Sequence, residues 1–383
     1  MFKRFSTFIF VLAISLSQLS AETLVYLGTY TKGNSTSEGI YLSRLNDQTG
    51  ALSAPELVAE LENPSFVAIS PDKQFLYAVS EVSSGDEKTM GVFAYRIEDD
   101  GKLAALNARS TGGGAACHLM VHPSGKLLAV ANYTGGSTAS FPIADDGSLG
   151  ERASLIKHQG SSVNARRQEA PHAHSVNFSP DGNQVLVADL GADKLFIFDV
   201  NIQSAQLTPA KTADFPMPAG GGPRHLCFAP EGNEDGTHLV ASNLELTSEV
   251  TLLNYAPKSG QLTMLKKRST LPEGQSVPGN STAECLFHPS GRFVYVSNRG
   301  HHSIAVFRVI HDRNTLRLTQ NLSTSGETPR GFGITPDGRF LVAGNQNSGN
   351  VVSMQINPKN GKLTPVEGEI NVGAPVNVRF LVK

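Results

Sequence analysis

The chain has 383 residues and no tryptophan, with 32 basic against 34 acidic side chains and a net charge of −2. That length suits two average domains or one large repeat fold, and the balanced charge without a basic block excludes a nucleic-acid surface as the organising feature. At the N-terminus Lys3 and Arg4 precede the apolar run Phe8–Ile14, and small residues follow to Ala21. This is the layout of a secretory signal peptide over residues 1–21, so residues 22–383 are expected in the periplasm or outside the cell. The apolar run is short for a membrane span. The mature N-terminus lacks the cysteine that lipidation needs, so no membrane partner is expected after cleavage.

Downstream, one pattern recurs. An apolar strand runs into a Pro-x-Gly turn, and a second apolar strand returns to a polar tip. The template is Ala283–Gly300, where the first strand ends at Phe287, His288-Pro289-Ser290-Gly291 turns, and Phe293–Val296 precedes the tip Ser297-Asn298-Arg299. Proline presets φ for the turn and glycine supplies its positive-φ position. The turn prolines are residues 71, 123, 180, 230, 289 and 336, with spacings of 47 to 59 residues. Such a period marks a propeller or array. Third strands follow, for example Val92–Tyr95, Leu195–Phe198 and Ile304–Phe307, and a Gly-x-Leu element (residues 101–103, 147–149, 361–363) is read as opening a fourth.

The ends complete the ring. Leu24–Thr31 matches the second strand Leu128–Thr134, Gly39–Leu42 and Gly50–Leu52 supply a third and fourth, and the missing inner strand is Val376–Val382. The expected fold is therefore all-β: a seven-bladed β-propeller of four-stranded antiparallel blades, closed by pairing of the N- and C-terminal strands. No second domain is indicated, and a monomer is expected. Cys117, Cys227 and Cys285 lie in three different inner strands. Their odd number and wide spacing argue for free thiols, and no Cys/His spacing suits a metal.

In a propeller, the start of the inner strand and the end of the second strand face one mouth of the central channel. Six residues before the turn proline stand Ser65, Cys117, His174, Arg224, Ala283 and Arg330; about ten after it stand Glu81, Tyr133, Leu190, Arg299 and Gln346. Blade 4 carries an insertion near residues 232–237, which puts Glu245 at this position or one beyond. Unlike polar groups at equivalent positions of a rigid repeat point to a site. His172 and His174 share one strand face, and either is a candidate general base. Bonding to neighbouring carbonyls is the plainer reading of each. Arg224, after Gly220-Gly221-Gly222, is a fixed cation for a carboxylate, phosphate or developing oxyanion, or else the partner of Glu245 or Glu249. At a solvent-filled mouth it is expected to contribute little to folding. Arg299 and Arg330 are further cations, and Asn132, Tyr133 and Asn298 are candidate contacts for sugar hydroxyls. No Gly-x-Ser-x-Gly elbow is present, which argues against an acyl-enzyme.

These residues resemble the seven-bladed propeller lactonases, the family of propeller-type 6-phosphogluconolactonases related to carboxy-cis,cis-muconate cyclase. The likeness runs from Thr23 to the C-terminus. It is carried by Gly28–Thr31, Arg167–His174, Gly222–His225, the Asn243/Glu245 tip, Ser297–Arg299 and Pro329–Phe332. It implies His174, Arg224, Glu245 and Arg299 as the catalytic set; His172, Arg330, Asn132, Tyr133 and Asn298 are read from their positions as facing the substrate. It implies hydrolysis of a sugar lactone, foremost 6-phospho-D-glucono-1,5-lactone, with no cofactor and no metal. The signal peptide departs from the family's cytoplasmic sugar-phosphate role. Two other readings stand beside it: a cyclase or isomerase of muconate-like dicarboxylates, and a non-catalytic exported propeller that binds a partner or glycan.

Overall fold

A computed structural model describes residues 22–83 and 91–382. The expected signal peptide at 1–21 lies outside the described residues. Seven four-stranded antiparallel sheets follow one another around a ring. Blades 1 to 6 begin with the inner strands Val67–Ile69, Ala116–Val121, Ala173–Phe178, Pro223–Phe228, Ser281–Phe287 and Pro329–Ile334. In the seventh, the C-terminal strand Pro375–Val382 pairs antiparallel with Glu22–Thr29. Gly39–Asn46 and Glu56–Glu60 complete that blade. The ring is therefore closed as the sequence indicated.

The core lies between blades. Each second strand buries both faces, as in Leu127–Asn132 and Gln184–Asp189, because a neighbouring sheet covers each side. Tyr77, Leu128, Val130 and Phe141 form one such layer between blades 1 and 2. The repeated glycines act in these layers. Tyr26, Tyr77 and Tyr295 donate their hydroxyls to the carbonyls of Gly101, Gly147 and Gly361, each in the next blade, at 2.7–2.9 Å. At Gly147 φ is +83°, and a Cβ there would sit 2.2 Å from the Phe75 ring. Positive φ and close approach together exclude any side chain.

Three local expectations are corrected. Leu103 and Leu363 do open fourth strands, but Leu52 and Leu149 form only single bridges, and the fourth strands there start later, at Glu56 and Ser154. Ser297-Asn298-Arg299 is no free tip, since it belongs to the strand Phe293–Arg299. In blade 4 the left-handed turn residue is Gly236 instead of Gly232, because the insertion moves the reversal.

Candidate active site

Backbone hydrogen bonds define the mouth. The residue just past each second strand donates its amide to the loop before the inner strand: Tyr30 to Ala374, Glu81 to Asn63, Tyr133 to Ala115, Leu190 to His172, Glu245 to Gly222 and Gln346 to Thr328. Arg299 takes this place in blade 5 by pairing with Ser281. Glu245 is thus in frame despite the insertion. The inner strands hold a second device. Cys117, His174 and Arg330 are each the extra residue of a bulge, and in blades 4 and 5 the pairs Arg224-His225 and Ala283-Glu284 oppose one partner residue. A bulge bends the strand and re-aims its side chain, which is why these groups turn into the channel.

The centre of the site is one carboxylate held by three guanidiniums. Glu245 Oε2 lies 3.0 Å from Arg224 Nε and 2.9 Å from Arg299 Nη2, and Oε1 lies 2.7 Å from Arg167 Nη2. Burial would raise the pKa of Glu245, but Arg299, Arg224 and Arg167 reverse this and hold it at about 2. Arg224 also donates from Nη1 to the Ala283 carbonyl at 2.6 Å, and Arg299 from Nη2 to Thr282 at 2.9 Å. Arg224 is only 2% exposed. Burial, with Arg330 and Arg299 beside it, lowers its pKa to about 9, so it stays charged at neutral pH while repelled by its neighbours. Arg330 lies 5.3 Å over the Tyr30 ring, and among the described residues its guanidinium makes no ion pair or hydrogen bond. Tyr30 in turn donates to Glu81 at 2.8 Å.

The histidines form the adjoining wall. Tyr133 stacks on His172 at 4.6 Å, meets His174 edge-on at 5.3 Å, and receives a hydrogen bond from Arg167 at 3.1 Å. His172 contacts the Tyr133 carbonyl through Nδ1 and Glu169 through Nε2. His174 is 5% exposed and has Cys117 Sγ 3.9 Å from its Nδ1. One residue deeper, side chains from different blades close the channel. Phe66 lies 3.9 Å from His118 and 5.9 Å from His225, with Arg379 at 4.5 Å over the Phe66 ring, and His225 donates from Nδ1 to Glu284 at 2.6 Å. The site therefore has a floor.

The structure brings His172, His174, Tyr133, Arg224, Glu245, Arg299 and Arg330 to one end of the channel. Asn132 and Asn298 have another setting. Both are fully buried, Asn132 donating to Ser137 and Asn298 to Thr270 and Ser303. Asp189 and Asn345 occupy the same place at the ends of their second strands and likewise bond neighbouring loops, to His172 and Thr324. This is a structural repeat position, one step before the mouth. Three mouth residues were not singled out from the sequence. Tyr30 was legible, because Leu24–Thr31 aligns with Leu128–Thr134 and sets it opposite Tyr133. Glu81 stood at a mouth position without a role. Arg167 comes from the loop between blades 2 and 3, outside the repeat, which the buried Gln168 pins through its bond to Leu190.

The three channel histidines make a stability prediction. Burial first, then nearby charges, pushes His118 and His174 well below 6.5, and His225 falls to about 4. A folded-state pKa below the unfolded value means stability that is full above about pH 6.5 and is lost as pH falls toward the folded value. Each histidine contributes a slope of about 1.4 kcal/mol per pH unit in that window. Melting temperature should therefore fall steeply from pH 6.5 to pH 4.5, and Glu245 adds to the loss below that. A flat Tm between pH 7 and pH 5 would show that these imidazoles are not buried neutral.

Fold and site together define a propeller enzyme with a floored, cation-rich mouth. The chain belongs to the lactonase family of seven-bladed β-propellers, whose family model matches residues 24–380. It is 37% identical over 358 residues to the 6-phosphogluconolactonase of Bacillus subtilis, covering 93% of this chain and 97% of that protein. It is 31% identical over 361 residues to the 6-phosphogluconolactonase of Formosa agariphila, covering 93% and 99%. Among solved structures, the periplasmic gluconolactonase of Pseudomonas aeruginosa superposes with a TM-score of 0.86 at 32% identity, covering 95% of this chain and all of that one. Among the described residues no helix is long and apolar enough to cross a membrane.

Proposed function

We propose that the chain hydrolyses a sugar 1,5-lactone to its aldonate at the arginine cluster. The observation that carries this is Arg224, 2% exposed and sharing the single carboxylate of Glu245 with Arg299 and Arg167, so that cations outnumber anions at the mouth. Such a group is relieved by an arriving anion. As water adds to a lactone, negative charge grows on the carbonyl oxygen, and the product is a carboxylate. Fixed cations stabilise that charge more than the neutral lactone, so they act on the transition state. Water adds at the carbonyl carbon and gives its proton to His174, which burial and Arg224 keep neutral at working pH. The ring C–O bond breaks, and the proton passes to the departing ring oxygen. Both oxygens of Glu245 are taken by Arg167, Arg224 and Arg299, so it serves to fix the guanidiniums.

The names of the Bacillus and Formosa relatives favour 6-phospho-D-glucono-1,5-lactone, and that of the Pseudomonas neighbour favours the unphosphorylated lactone and a periplasmic location. Export is the reading that residues 1–21 support, and a native N-terminus near Glu22 by mass spectrometry checks it. The function is tested by pH-stat assay of the mature protein on gluconolactone with and without a 6-phosphate, against the spontaneous rate. Turnover well above the blank is expected. No acceleration of either lactone by folded protein rejects the proposal, and acid uptake on presenting a muconate-like dicarboxylate supports the cyclase reading in its place.

A further inference from the structure

Beside the mouth, over the seventh and sixth blades, lies a cavity of about 830 Å³. Tyr30 and Gln346, both mouth residues, form part of its wall, so it adjoins the site. Its volume is in the range, about 300–1,000 Å³, of pockets that hold drug-sized ligands. The lining is polar but almost uncharged. Four side-chain amides, those of Asn34, Gln346, Asn347 and Asn371, converge on it, and among the described residues none of them bonds another group of the chain. An amide offers both donors and an acceptor, which suits the paired hydroxyls of a sugar.

Charge excludes a phosphate here. The one cation of the wall is Lys32, exposed and 3.5 Å from Glu62. The adjoining surface hollow that shares Lys32 also carries Glu38, Glu60 and Glu62. One lysine among three glutamates repels a dianion, whereas a neutral polyol is indifferent to that field. The cations of the mouth, Arg224, Arg299 and Arg330, do not line it.

We propose that this alcove is a subsite for a second, neutral sugar, and that the preferred substrate is a disaccharide aldono-1,5-lactone. The lactone ring occupies the arginine mouth and its glycosyl substituent the alcove. The proposal rests on the lactone-hydrolase reading. Its chemistry is the same: water adds to C1, the ring C–O bond breaks, the ring oxygen gains the proton, and the glycosidic bond is untouched.

The test compares kcat/KM on cellobiono-1,5-lactone and glucono-1,5-lactone, each corrected for the blank, in the mature protein and in the double variant Asn347→Ala/Asn371→Ala. Both residues are exposed, so the fold should survive. The disaccharide lactone should be preferred about tenfold, on the scale of two net hydrogen bonds, and the double variant should lose that preference through KM while leaving the monosaccharide rate unchanged. Equal kcat/KM on both lactones, or an equal loss on both in the variant, overturns the subsite and leaves lactone hydrolysis standing. If neither lactone turns over, the functional reading falls and calorimetry with cellobionate and gluconate decides the alcove. Tighter cellobionate binding that the double variant abolishes supports it; equal binding rejects it.

Discussion

Arg224→Ala should lower kcat/KM on the responsive lactone by about 10²-fold or more, the scale of losing one oxyanion donor. It should also lower the melting temperature by several degrees. From sequence alone a mouth residue was expected to matter little for folding, and the structure corrects this. Arg224 is 2% exposed, its Nη1 fills the Ala283 carbonyl, and its Nε faces Glu245. Breaking a buried ion pair costs about 3–5 kcal/mol when the remaining charge is stranded. Here Glu245 keeps Arg299 and Arg167, so the loss should fall below that range. Arg224→Lys retains the charge but cannot reach Ala283 and Glu245 together, because it lacks the planar fork. It too should lose activity. Stability and chemistry are separated by measuring turnover per folded molecule well below each variant's Tm. If Arg224→Ala melts early but turns over normally when folded, Arg224 is structural and the oxyanion assignment is lost.

What could be read from the sequence follows the repeat. Pro-x-Gly turns at near-constant spacing placed both the strands and the two mouth positions, so His174, Arg224, Arg299 and Arg330 were found by counting. Counting gives positions but not side-chain direction, nor residues outside the repeat. The inner-strand bulges at Cys117, His174 and Arg330 add a residue that no period-two pattern reveals. Arg167 reaches Glu245 from an irregular loop, and Arg379 reaches Phe66 from the C-terminal strand, so only three-dimensional proximity reveals them. Asn132 and Asn298 show the opposite error. They are polar and near the mouth, yet one residue along a strand turns a side chain to the other face, and theirs bond neighbouring loop and strand groups.

The largest structural effect should come from ending the chain at Ala374. The strand Pro375–Val382 supplies the inner strand of the seventh blade, in register from Thr23↔Val382 to Gly28↔Asn377. Its removal strips Glu22–Thr29 of a partner and leaves a row of unpaired backbone groups along an apolar edge, a template for aggregation. Val376, Val378 and Leu381 are 5%, 0% and 3% exposed. At about 1.5–3 kcal/mol for each buried aliphatic side chain, their loss rivals the 5–15 kcal/mol that holds a typical domain together. Two contacts to blade 1 go as well: the Val67 amide loses the Asn377 side-chain Oδ1 at 3.1 Å, and Phe66 in the channel floor loses Arg379. The truncated chain should therefore be aggregated or should lack a cooperative transition by calorimetry. Supplying residues 375–383 as a separate peptide should restore some soluble, cooperative protein by re-pairing with Glu22–Thr29. A soluble truncation that melts cooperatively near the full-length Tm without the peptide would mean that the ring does not depend on this closure.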